Sequence, residues 1–311
     1  MEKHIDRRAF LKLAGIGGAV FVSGLGLLQH ADGIAAARAL YRGNEADGED
    51  FFFVQLSDSH WGFSNPAINP HYGTTLVRAV EAVNHLPQAP DFVVFTGDLT
   101  QTTEDGSERR RRMEQFREIA GRLAVKEVRF LAGEHDAALD EGKAFHEFFG
   151  PSFYTFKHKG VTFIALDNVS DPEGAVGEGQ RRWLAGELAK LSRSAAIIVL
   201  THRPLFDLYP SWDWATADGG QVMELLLPYS NVTVFYGHIH QINHHTTGHI
   251  NHHSAQSLMW PLPAPGSLPR KIQLPWDTRQ PYKGLGFREV AADRRHSRYD
   301  LREFPMAEAA K

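Results

Sequence analysis

The sequence contains no cysteine, which excludes disulfides, thiolate metal ligands and a cysteine nucleophile together. It has no excess of positive charge either: 33 Lys and Arg stand against 37 Asp and Glu, a formal net charge of -4. A general electrostatic case for nucleic acid or an anionic membrane is therefore missing. Long apolar runs are scarce. The one near the N-terminus is diluted by Gly15, Gly17, Gly18, Gly24 and Gly26, which make a poor membrane-spanning helix. What the 311 residues do contain is ample core material, 42% hydrophobic, enough for one large domain or two small ones. They also contain 17 histidines, and where these fall matters more than how many there are.

At the N-terminus Arg7 and Arg8 precede Phe10, Leu11 and Lys12, and small residues with A-x-A spacing gather around Ala35 to Ala39. "DRRAFLK" resembles the twin-arginine signal of bacterial export, with Asp6 where serine or threonine is usual. The resemblance implies an export signal over residues 1–39, read by the twin-arginine machinery, then a polar linker at 40–50. A single domain at 51–311 would follow, periplasmic or secreted, with no stable membrane span once mature. An uncleaved signal would leave it membrane-anchored. That route moves proteins already folded, so a metal site would load in the cytoplasm, away from copper and zinc, which bind most N/O sites more tightly.

In the mature chain one pattern recurs. "FFFVQLSDSH" is an apolar run ending in Asp58 and His60, and "DFVVFTGDLT" ends in Gly97 and Asp98. "VRFLAGEHD" ends in Glu134, His135 and Asp136, and "VTFIALDN" in Asp167 and Asn168. "AAIIVLTH" ends in His202, and "NVTVFYGHIH" in His238 and His240. Short β-branched-rich runs of this kind read as strands buried on both faces. Three-and-four apolar spacing in "TTLVRAVEAVNHL" and "RRMEQFREIAGRLAV" predicts helices between them, and "GQRRWLAGELAKL" and "GGQVMELLL" are further candidates. The alternation argues an α/β fold, whose site lies beyond the carboxyl ends of the strands. Asp58 and His60, like His238 and His240, are two apart, a spacing that in extended chain turns both side chains to one side.

Asp58-Ser59-His60, Gly97-Asp98, Gly133-Glu134-His135-Asp136, His202 and Gly237-His238-Ile239-His240, in that order, resemble the motif set of the calcineurin-like metallophosphoesterases. The resemblance spans roughly residues 51 to 260. It implies a four-layer α-β-β-α sandwich and a two-metal site. By analogy Asp58, His60 and His240 would bind the first metal, His202 and His238 the second, and Asp98 both. His135 would act as general acid without ligating, with Asp136 orienting its ring or serving only as a turn residue. Hydroxide generated at the metal pair would attack phosphorus in line with the leaving oxygen.

The family's pattern has asparagine at position 134, where this chain has Glu134. Glutamate is a good ligand for hard metals. Two divalent ions with Asp58, Asp98 and a hydroxide carry a formal charge of about +1, which Glu134 brings to about zero. A trivalent ion in one position would restore the difference, so iron or manganese is expected ahead of zinc. The expected function is hydrolysis of phosphomonoesters or diesters of a small molecule. The competing reading is a metal-bearing scaffold whose catalysis Glu134 has weakened.

Beyond the motifs, Asn168 and Arg203 lie beside the site in sequence and could contact phosphate. Phe206, Tyr209, Trp212 and Trp214 could form an aromatic lid or pack on one another; the sequence favours neither. His244, His245, His249, His252 and His253 are expected on a hairpin, with an accessory metal or phosphate-binding edge as the other reading. "MWPLPAPGSLP" is expected to be irregular and to wrap the rim of the site.

Overall fold

The structure, a computed structural model, describes residues 50–292 and 298–309. The segment expected to be an export signal and all but the last residue of the expected linker lie outside them. Among the described residues no helix is long and apolar enough to cross a membrane.

Among the described residues eleven strands form two mixed sheets. The first contains β1 (Phe51–Leu56), β2 (Phe92–Thr96), β3 (Val128–Leu131), β10 (Gly286–Ala292) and β11 (Tyr299–Pro305), in the order β11-β10-β1-β2-β3. The second contains β4 (Tyr154–His158), β5 (Val161–Ala165), β6 (Ile197–Leu200), β7 (Val232–Tyr236), β8 (Asn243–Thr247) and β9 (Ile250–Ser254), ordered β4-β5-β6-β7-β9-β8. β1, β2 and β3 are parallel, as are β5, β6, β7 and β9, while β4, β8, β10 and β11 run antiparallel to their neighbours.

The pleat sorts each apolar run onto two faces. Phe51 and Phe53 of β1, with Phe92 and Val94 of β2, meet Phe163, Ile198, Leu200 and Phe235 of the second sheet in a core between the sheets. Val54, Leu56, Val93 and Phe95 face the other way, onto α1 (Thr75–Asn84) and α2 (Gly106–Ala120). Ile164, Ile197, Val199 and Val234 face α5 (Gly177–Leu188) and α6 (Gly219–Leu226). Helix, sheet, sheet and helix are therefore stacked in four layers, and burial on both faces explains why the central strands are continuously apolar. α2 starts five residues earlier than "RRMEQF" suggests. Asp105 caps it, accepting from the amides of Ser107 and Glu108.

The late histidines form the expected hairpin, β8 with β9. Between the hairpin and β10, residues 261–285 contain no helix or strand apart from one bridge residue, Leu285. Two short helices follow β3: α3 (Glu134–Ala137) and α4 (Lys143–Phe149).

Candidate metal centre

β1, β2 and β3 end at one edge of the first sheet, and β6 and β7 end beside them in the second. The first sheet thus delivers Asp58, His60, Asp98 and Glu134, and the second delivers His202, His238 and His240. The side chains fall into two groups that share one member: Asp58, His60, Asp98 and His240, and Asp98, Glu134, His202 and His238. Within each group the ligating atoms lie within 4.8 Å of one another.

The contacts run as a chain. His240 Nε2 lies 3.3 Å from Asp58 Oδ1 and 3.1 Å from His60 Nε2, which lies 3.5 Å from Asp98 Oδ2. Asp98 Oδ2 lies 3.5 Å from His202 Nε2, which is 2.9 Å from Glu134 Oε2. Glu134 Oε1 closes the chain 2.9 Å from His238 Nδ1. Metal–ligand bonds of about 2.0–2.2 Å place neighbouring ligand atoms about 2.8–3.6 Å apart, from octahedral to tetrahedral geometry, and these contacts of 2.9–3.5 Å fall within that range. His202 Nε2, Glu134 Oε2 and His238 Nδ1 are buried without hydrogen-bonding partners although they crowd one another. Buried polar atoms this close that do not bond to each other suit a common cation. The donor set of three carboxylates and four imidazoles therefore fits two hard or intermediate metal ions.

Further contacts orient the rings. His202 Nδ1 bonds the carbonyl of Thr96 at 2.7 Å and His240 Nδ1 that of Trp260 at 2.6 Å, so in each neutral ring Nε2 keeps its lone pair for the centre. The Trp260 ring stacks on His60 at 4.1 Å. The His238 amide donates to Asp58, and the His135 amide to Asp98.

The pairs at two-residue spacing do converge, but not through extended backbone. Asp58, His60, Asp98, His238 and His240 all have positive φ, between 41° and 65°. Five non-glycine residues in the left-handed region at one site are a store of strain that the surrounding packing must hold. Asp58 and His60 face one group, whereas His238 and His240 face adjacent ones, His240 the first and His238 the second. Two glycines are required by close approach. A Cβ on Gly133 would collide with the Asp98 carboxylate and its backbone amide, and one on Gly97 with the His202 ring.

Carboxylates and imidazoles this close perturb one another's titration. Burial disfavours ionised Asp58 and Glu134, but the facing imidazoles outweigh it and hold both carboxyls below their usual range. Burial likewise opposes protonation of His202 and His240. Asp98 and Glu134 overcome it at His202, and Asp58 does so at His240, so both rings titrate above the usual range. Metal binding would displace those protons.

Two expectations need correction. Asp136 does not orient His135. Its carboxylate accepts from the amides of Gly133, Leu99 and Thr100 and from the Thr100 hydroxyl, at 2.8–2.9 Å, fastening the start of α3 to the Asp98 loop. Burial and the Asp98 charge push this carboxyl up to about 6, against those donors. Asn168 cannot serve as a substrate contact. It is fully buried; its amide nitrogen donates to the Arg203 carbonyl and Thr216, and its oxygen accepts from the amides of His202 and Arg203. It is a strut beneath the His202 loop.

Thr102, which no motif marks, takes the role expected of Asp136. The Thr102 amide donates to His135 Nδ1 at 3.3 Å, and the Thr102 hydroxyl lies 2.6 Å from the same atom. His135 packs edge-on to His60 at 4.7 Å. Its only sequence signal is the polar run "TQTT" after Asp98, which also reads as a turn. The aromatic loop packs on itself: Trp212 and Trp214 are buried with Tyr236 and Ile239, and Phe206 stacks on His245 at 3.7 Å. Among the late histidines His252 is fully buried, whereas His244 and His249 are exposed.

Two stacked mixed sheets flanked by helices, with two adjoining acid–imidazole clusters at their strand ends, define a class of α/β protein whose donor groups could hold a pair of metal ions. Within that class, a family model described as calcineurin-like phosphoesterase matches residues 53–242, and the chain belongs to that family. A dimetal phosphatase from Danio rerio has a similar fold, at 13% identity and a TM-score of 0.51, over 81% of this chain and 98% of that one. GAP50, the anchor in the inner membrane complex of Plasmodium, is 12% identical with a TM-score of 0.49, over 82% of this chain and 89% of that one. Comparison with curated proteins finds no match.

Proposed function

We propose that the protein is an exported dinuclear-metal phosphoesterase acting on monoesters or diesters of a small molecule. The observation that carries this reading is the sharing of Asp98 by two buried donor groups. Asp58, His60 and His240 would hold one ion, Glu134, His202 and His238 the other, and Asp98 both. When bound, such a pair clamps phosphoryl oxygens and makes water a nucleophile at neutral pH.

The chain's own part is to position and to move a proton. The Thr102 amide and hydroxyl hold the His135 ring through Nδ1, which leaves Nε2 as the atom that would give a proton to the leaving oxygen, the ring passing from imidazolium to neutral imidazole. Glu134, present at the centre on contacts to both His202 and His238, adds a third carboxylate and favours iron or manganese over zinc. The N-terminal resemblance supports export into the periplasm or medium. The expected partners are the twin-arginine machinery and a small phosphate ester, with no nucleic acid.

The test is metal analysis of protein exported by its native route, followed by a screen of phosphate esters with that metal set. Near two ions per chain, iron or manganese among them, with turnover of at least one ester, is expected. An all-zinc protein with full activity overturns the metal preference. Two bound metals with no turnover replaces the enzyme by a metal-bearing scaffold.

A further inference from the structure

Lys271 belongs to no motif and lies in the irregular segment after Trp260, beside exposed Arg270 and Ile272. Its ammonium nevertheless reaches the loop that follows His202, donating to the Asp213 carbonyl at 3.1 Å. Nη2 of Arg203 donates to the same oxygen at 2.7 Å. Sharing one acceptor holds the two cations within about 6 Å of each other, an unfavourable pairing without a nearby anion. The Asp213 carboxylate touches Arg203 at 3.1 Å, but that side chain is 89% exposed and neutralises little.

Arg203 is fixed: its side chain is 10% exposed, and Nη1 packs against Gly174, where a Cβ would collide with it. Arg203 directly follows His202, a member of the second donor group, and the Asn168 oxygen accepts from both backbone amides; Lys271 joins Arg203 through the shared Asp213 carbonyl. His135 borders the first group instead, through His60. A substrate with its leaving oxygen at His135 that also spans the second donor group would therefore reach towards the loop that carries Arg203.

The geometry points to a second anion site, in which Arg203 and Lys271 bind a phosphate or carboxylate group of the substrate other than the one being hydrolysed. The substrate class is then a phosphate ester carrying a second anionic group. This rests on the phosphoesterase reading for what occupies the metal pair, and it gives that pair a direction.

Calorimetric titration of the metal-loaded protein with methylphosphonate, phosphonoacetate and 3-phosphonopropionate tests it, with p-nitrophenyl phosphate hydrolysis followed in parallel. At least one two-anion probe should bind about tenfold more tightly than methylphosphonate. Lys271→Gln should shrink that gap to within about twofold without weakening methylphosphonate, and Lys271→Arg should keep most of it. Lys271 is exposed, so an unchanged melting curve for Lys271→Gln is expected and shows that the variant is folded. Equal binding of all three probes by the unsubstituted protein, or a gap that survives Lys271→Gln, overturns the proposal. Turnover without a gap overturns the second anion site alone. A gap that Lys271→Gln removes, with no ester turned over, supports the site and overturns the phosphoesterase reading.

Discussion

His135 is held by Thr102, not by its neighbour Asp136, and that has a kinetic consequence. His135→Asn should lower kcat at least about a hundredfold for esters with alkoxide leaving groups, which need a proton. It should act far less on p-nitrophenyl phosphate, whose leaving group does not. Thr102→Val keeps its backbone amide but removes the hydroxyl 2.6 Å from Nδ1, so it should show the same leaving-group dependence at about a tenth of the size. Equal losses on both ester types would show that His135 serves only binding. Glu134 makes the other prediction at this scale. As it contacts both His202 and His238, Glu134→Ala should leave about one ion per chain by metal analysis, since the Asp58–His60–His240 group is untouched. Two retained ions would remove Glu134 from the ligand set.

At the scale of elements, the site is made where strands stop. α3 begins at Gly133 because that position leaves room for Asp98, and Asp136 ties its first turn back to Leu99 and Thr100. Gly133→Ala should therefore cost metal occupancy before it costs the fold, visible as loss of bound metal in a protein that still melts cooperatively. A second joint lies just before β2. Asp91 accepts from the Phe52 amide at 3.0 Å, from Lys159 at 2.6 Å and from His158 at 3.2 Å, joining β1 to the β4–β5 turn of the other sheet. Burial raises this carboxyl's pKa, but Lys159, the Phe52 amide and His158 outweigh it and leave it lowered. A carboxyl lowered by folding stabilises above its unfolded pKa of about 3.9 and loses that contribution as pH falls through the folded value. Asp91→Asn should then melt lower than the unsubstituted protein at pH 7, with the gap closing below about pH 4. A gap constant from pH 2.5 to 7 would show that the charge contributes nothing.

For the whole molecule the centre is a clamp between sheets. One sheet supplies all three carboxylates and His60, while the other supplies imidazoles only. Ions bound there favour the folded chain because the unfolded chain has no such site. Metal at about a hundredfold over its dissociation constant contributes about 2.7 kcal/mol. At about 2–4 °C per kcal/mol for a domain of this size, chelation should lower the melting temperature by about 5–10 °C, reversibly on reloading. An unchanged melting temperature in metal-free protein would mean that the two sheets hold the site without help.

Much of this was legible in the residues. Asp58, His60, Asp98, His202, His238 and His240 announce themselves because each ends an apolar run in the order of one motif set, whereas a strand end such as Asp167 alone serves its own turn. The strands themselves are readable because burial on both faces leaves continuous apolar runs, and the central helices because their faces repeat at 3.6 residues. The sequence by itself therefore determined the layers and the composition of the centre. Only the tertiary structure decided the rest. The left-handed backbone at Asp58, His60, Asp98, His238 and His240 suits Asp and His, which tolerate it better than most residues, but their type does not fix it; contacts such as the Asp58 carboxylate on the His238 amide do. The roles of Thr102, Asp136, Asn168 and Lys271 are equally silent. Each turns on a hydrogen bond to a segment distant in sequence, and the direction of a polar side chain is fixed by the partners that folding brings to it, not by its place in the chain.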